Sequence, residues 1–137
     1  MLSTHPDQMK RRLRLDERGE LTLQLSVIFP VLILFVYLSV QVGLWWHAGQ
    51  IADGAAAEAI EAAQVEGATD ADGADAAVWF LSQAGYMEDV TIQVGRTADT
   101  VTATVTGDAF QIIPLGSWSV SATASGPLEQ TVSQSER

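Results

Sequence analysis

The sequence predicts an α+β protein: one N-terminal transmembrane helix that runs on as a long helix, then a short helix and a small three-stranded antiparallel sheet. Three observations predict it. No charged residue occurs from Leu21 to Ala52. Helix-favouring Ala, Glu and Gln dominate residues 48–66. From Val90 onward, apolar residues recur with period two in three separate segments. The expected boundaries are a cytoplasmic basic leader over 1–20, a transmembrane helix over 21–47, an extracytoplasmic helical extension over 48–66, a small α+β domain over 67–129 and a polar tail over 130–137.

The span comes first. Leu25–Trp46 is a run of 22 residues in which only Ser26, Ser39 and Gln41 are clearly polar. About 20 apolar residues cross a hydrocarbon core. A soluble helix of this length shows a polar face, and this one does not. A cleaved secretory signal fits less well, because its apolar region is shorter and ends at a small-residue site, whereas this run ends in Trp45-Trp46. Lys10, Arg11, Arg12, Arg14 and Arg18 precede the span, and the next cation is Arg96. The positive-inside rule therefore places the N-terminus in the cytoplasm and residues 50–137 outside. Arg18 marks the inner membrane interface, and Trp45 and Trp46, with His47, mark the outer one. Pro30 lacks an N–H, so the carbonyl of Ser26 loses its donor and the helix loosens there. The Ser26 hydroxyl or a neighbouring helix is expected to compensate.

The helix is expected to continue past the membrane. Over residues 21–66 it would run about 69 Å at 1.5 Å per residue. Two stripes of small residues lie on it, Ala48-Ala52-Ala56 and Ala55-Ala59-Ala63. They suit either close approach of another helix or packing on the chain's own domain. Residues 67–75 (GATDADGAD) read as a break. A second helix is expected over about 74–84, with Ala74, Ala77, Val78 and Leu81 facing inward. Thr69 with Asp72, or Asp72 with Asp75, would cap its start, and Gly85 would stop it.

Three strands follow. Val90, Ile92 and Val94 share one face, as do Val101, Ala103 and Val105, and then Val120, Ala122 and Ala124. Residues 95–100 have hairpin length, and residues 107–117 make a longer link whose Phe110, Ile112, Ile113 and Leu115 are available for a core. So small a sheet needs the long helix as a backing.

Charge and composition narrow the function. The chain has 137 residues and a net charge of −10, without a single cysteine. That length holds one small domain. The absence of cysteine excludes disulfides, thiolate metal sites and a cysteine nucleophile. Residues 1–20 carry net +1, whereas residues 21–137 carry −11, with Arg96 and Arg137 as their cations. An acidic body without a basic patch argues against nucleic-acid binding. The cluster Asp70-x-Asp72-Gly73-x-Asp75 fails the EF-hand spacing, since Gly73 falls at position 4 and Leu81 at position 12. Capping and solvation account for it. Glu58 and Glu61 read as a solvated helix face. No nucleophile motif, zinc-binding motif or phosphate loop occurs. The chain reads as a non-enzyme without cofactor or metal.

The start of the span is the most informative segment. A charged leader ends in Arg18-Gly19, and the apolar helix opens with Glu20-Leu21-Thr22-Leu23-Gln24-Leu25, then Pro30. With Gln41-Val42-Gly43-Leu44-Trp45-Trp46-His47-Ala48 after the span and Ala124-Ser125-Gly126-Pro127-Leu128-Glu129 at the close, it resembles the TadE-like proteins, pseudopilin-type proteins of Tad (Flp) pilus systems. The resemblance implies cleavage after Gly19 by a prepilin peptidase on the cytoplasmic side of a bacterial cell membrane. It also implies helix packing through Glu20, Gln24 and Pro30 against other pilins, pseudopilins and pilus-assembly proteins. The family pattern has Glu five residues after the Gly; here that position is Gln24, which accepts a hydrogen bond from an ammonium but offers no charge. Gly19-Glu20 also reads simply as a helix start at the membrane. Two functions follow: a minor pilin or pseudopilin in pilus assembly, or an unprocessed, membrane-tethered binding module outside any pilus.

Overall fold

A computed structural model describes the backbone of residues 6–128 and the side chains of residues 19–128. The side chains of the leader up to Arg18, Glu129 and the tail over 130–137 lie outside the described residues. The elements are α1 (Pro6–Gln64), α2 (Asp70–Ala84), β1 (Glu88–Arg96), β2 (Thr100–Asp108) and β3 (Ser119–Pro127). They form two compact units, Met1–Ser39 and Val40–Arg137.

The first unit is the early part of α1. Every side chain from Gly19 to Ser39 is exposed, the apolar ones included. The most apolar window reaches a mean hydropathy of 2.4 and is only 6% buried, which is unlike the core helix of a soluble protein. Among the described residues, this is one helix long and apolar enough to cross a membrane. The Ser26 hydroxyl donates to the Thr22 carbonyl at 2.8 Å, and Ser39 donates to Phe35 in the same way. Ser26 thus serves the turn before it; its own carbonyl still faces Pro30, which has no N–H to give.

The second unit is a sheet and a short helix laid on the remainder of α1. All six alanines of the two small-residue stripes are buried, at 0–3% exposure. They meet Ala77 of α2 and Val101, Ala103, Val105, Val120 and Ala122 of the sheet. Of the two readings of the stripes, packing on the chain's own domain is the one realised. Methyl groups on one side and short β-branched chains on the other allow a thin, dense core.

The sheet is an antiparallel meander in the order β1-β2-β3. Val105 faces Ile92 on one side and Ala122 on the other, and Ala103 lies between Val94 and Ala124. The inward faces are those the alternation predicts, except at Val90, which is 37% exposed within the irregular start of β1. On the other face, the Thr104 and Thr123 hydroxyls bond across the strands at 3.1 Å. A bulge interrupts β1 between Glu88 and Thr91, with Asp89 at φ 48°.

Three expectations need correction. α2 begins at Asp70, four residues before the expected start, because Thr69 and Asp72 close a capping box over the Asp-Gly cluster. The break shrinks to a turn around Gly67, whose φ of +83° suits a residue without Cβ. Val78 is 56% exposed; α2 instead turns Gly73, Ala77, Phe80 and Leu81 towards the core. Phe110, Ile112 and Leu115 are also exposed rather than buried, while Ile113 is partly covered. Between Ala109 and Trp118, which pack on the core, the loop is held through its backbone.

Candidate functional site

Two places in the chain offer chemistry. The first is the start of the span. Gly19, Glu20, Gln24 and Pro30 all lie on exposed helix in α1. Glu20 and Gln24 are one turn apart, four residues along the same helix, and so share a face. A Cβ at Gly19 would meet nothing within 4 Å. The arrangement leaves this segment fully available to lipid, to another helix or to a modifying enzyme.

The second place is in the other unit, around Gln41. This residue is fully buried, the only polar residue so buried among the described ones. Its Oε1 accepts the backbone N–H of Ile112 at 2.8 Å and of Ile113 at 3.3 Å. Its Nε2 donates to the Phe110 carbonyl at 3.1 Å. One side-chain amide therefore satisfies three backbone groups of the β2–β3 loop. One turn further, the Trp45 indole N–H donates to the Ser119 carbonyl at 3.1 Å, so β3 is tied to α1 at its first residue. Trp45 and Trp46 remain 44% and 67% exposed. Sequence reasoning treated Gln41 as one polar exception in an apolar run. The signal that a glutamine there needs a buried partner is real, but its partners lie about 70 residues away.

Arg96 holds the far end of the same unit together. Its Nη2 donates to the Ala63 carbonyl at 2.6 Å, in the last turn of α1. Its Nε lies 3.5 Å from an Asp70 carboxylate oxygen, an ion pair without a hydrogen bond. A cation at the negative end of a helix dipole is favourable, and α1 has no basic residue of its own in that turn. Next to it, the Asp72 carboxylate accepts the Thr69 backbone N–H at 2.6 Å and the Thr69 hydroxyl at 2.7 Å. Those two bonds, aided by Arg96, hold its carboxyl below the ordinary 3.8. The acidic cluster is thus used for capping. Among the described residues, no group of three or more His, Asp or Glu side chains is placed to share a metal ion.

A family model described as TadE-like protein matches residues 19–61. No curated protein matches the chain, and no solved structure does. The matched segment begins at the Gly19-Glu20 junction, contains Gln24, Pro30, Gln41, Trp45 and Trp46, and ends two residues before Ala63. Over this stretch of α1, the chain is similar to the TadE-like proteins.

Proposed function

We propose that this chain is a membrane-anchored minor pilin or pseudopilin that takes part in assembling a Tad (Flp) pilus or a related secretion apparatus. The observation that carries the reading is the TadE-like match over residues 19–61, on a helix whose apolar surface from Gly19 to Ser39 is uncovered. The proposed mechanism is non-covalent. The span holds the protein in the cell membrane with its N-terminus in the cytoplasm. A prepilin peptidase cuts after Gly19, and the apolar helix then exchanges lipid for the helices of partner pilins. Gln24 accepts a hydrogen bond from a neighbour's new N-terminal ammonium; a neutral amide is cheaper to bury in hydrocarbon than a lone carboxylate. The loosened turn at Pro30 gives the helix freedom to leave the bilayer.

Intact-mass measurement on protein from native membranes tests the processing step. The expected product begins at Glu20. A chain that begins at Met1, or has lost Met1 alone, shifts the reading to an unprocessed tethered binding module, which the neutral Gln24 favours. Counting pili on a strain lacking the gene tests the assembly role. Fewer pili, restored by the full chain, support it; an unchanged number overturns it.

A further inference from the structure

We infer that the β2–β3 loop, residues 109–118, is a second membrane contact: an apolar wedge that rests in the interfacial layer of the lipid leaflet. The inference rests on the membrane-anchored reading of α1 and is independent of any role in a pilus.

Four observations carry it. The first is the exposed side chains. Phe110, Ile112 and Leu115 are 48%, 39% and 69% exposed, close together on one short loop. Isolated apolar residues on a surface need no explanation, but a cluster does. The second is the loop's level on α1. It is fastened to Gln41, which lies well inside the uncharged stretch from Leu21 to Ala52. That stretch has 32 residues, about 48 Å of helix, against a hydrocarbon core of about 30 Å. Gln41 belongs to the apolar run that closes on Trp45-Trp46, the residues read as the outer interface, and within the same unit as the loop it lies about 6 Å of helix before Trp45.

The third observation is the way the loop's polar backbone is disposed of. Irregular backbone survives at membrane depth only where its polar groups are satisfied. Gln41 takes the N–H groups of Ile112 and Ile113 and the carbonyl of Phe110. Pro114 has no N–H, Leu115 bonds to the Ile113 carbonyl at 2.8 Å, and Ala109 bonds to the Trp118 carbonyl at 3.0 Å. The loop satisfies these polar groups within the protein and leaves Phe110, Ile112 and Leu115 outward, the reverse of an ordinary surface loop. The fourth is charge. Residues 109–128 contain no ionisable side chain, although residues 21–137 as a whole carry −11. The acidic remainder of the domain is repelled by anionic headgroups, and this loop is not. Together these features commit the patch to lipid rather than to water.

The absence of cysteine makes the test clean. Single-cysteine forms of the full chain, Phe110→Cys, Ile112→Cys and Leu115→Cys, are labelled with an environment-sensitive fluorophore and placed in phosphatidylcholine vesicles. Nitroxide lipids quench from defined depths. Phe35→Cys reports on the span, and Thr102→Cys, exposed at the other end of β2, reports on water. The expected result is blue-shifted emission and quenching by shallow nitroxides at the three loop sites, deeper quenching at position 35 and none at position 102. Water-like, unquenched loop labels with a quenched Phe35→Cys overturn the wedge and leave the span intact. Blue-shifted loop labels that no lipid nitroxide quenches also overturn it and assign the patch to a second protein surface. An unquenched Phe35→Cys overturns the membrane reading and the wedge together.

Discussion

The Gln41 side-chain oxygen accepts the backbone N–H of Ile112 at 2.8 Å, across 71 positions of sequence. This bond, with those to Ile113 and Phe110, fixes a loop that has few core side chains of its own. Replacing Gln41 by Leu keeps the size and apolarity of the helix but strands two N–H groups and a carbonyl. Each buried orphan costs about 1–3 kcal/mol. With three such orphans, the expected loss for Gln41→Leu is about 3 kcal/mol or more in denaturant unfolding of the micelle-bound protein. Amide exchange at Ile112 and Ile113 should accelerate more than at Val105, which is bonded within the sheet.

Arg96→Met tests the tie between α1, α2 and β1. The variant retains an apolar stem but loses the donor to Ala63 and the partner of Asp70. A hydrogen bond from a charged group at a helix C-terminus contributes about 2 kcal/mol. That is the expected destabilisation, and Arg96→Lys should recover only part of it, since an ammonium lacks the planar fork.

The capping box gives a pH prediction. Asp72 has a lower pKa in the folded protein than the ordinary 3.8, mainly through its bonds from Thr69. A depressed carboxyl contributes stability above its unfolded value, and that contribution is lost as pH falls through the folded value. The wild-type melting temperature should therefore drop on acidification below about pH 4. Asp72→Asn should start lower at neutral pH and lose less in acid. Thr69→Ala removes the cap itself and should cost about 1 kcal/mol at neutral pH.

Two glycines of similar appearance should respond in opposite directions. A Cβ at Gly73 would lie 2.7 Å from the Ala59 carbonyl oxygen and 3.0 Å from Ala63. Backbone cannot yield cheaply there, so Gly73→Ala should cost about 1–3 kcal/mol by forcing α2 away from α1. A Cβ at Gly49 would meet nothing within 4 Å. Gly49→Ala should stabilise the protein by up to about 1 kcal/mol through helix propensity. Thermal unfolding of the two variants side by side checks both signs.

The regular elements were legible because their causes are local. The alternation of Val101, Ala103 and Val105 and the stop at Gly85 are properties of neighbouring residues. Errors arose where cause and effect are far apart in sequence. Val78 fits a helical stripe as well as Phe80 does, yet it is the Phe80 ring that lies against Gly54 of α1. Phe110, Ile112 and Leu115 look like core residues until Gln41 is seen to hold their backbone instead. Arg96, an isolated cation in the sequence, finds its partners, Ala63 and Asp70, only in the fold. The segment from Gly19 to Pro30 stands apart. Its interest was read from the order of residues alone, and its exposed surface adds where it is available to act.

The burial of the alanine face has a consequence for how α1 can vary. On the face of α1 that carries the six buried alanines, thickness is set by methyl groups, and a larger side chain at any of them would overpack the core against α2 and the sheet. From Leu21 to Ser39 no neighbour among the described residues limits size, and outside Gln24 and Pro30 the stretch is chiefly apolar. A single helix is thus read by two different rulers, volume in one stretch and polarity in the other. Evolution can rewrite this uncovered apolar surface to suit new surroundings without disturbing the architecture that the second stretch supports.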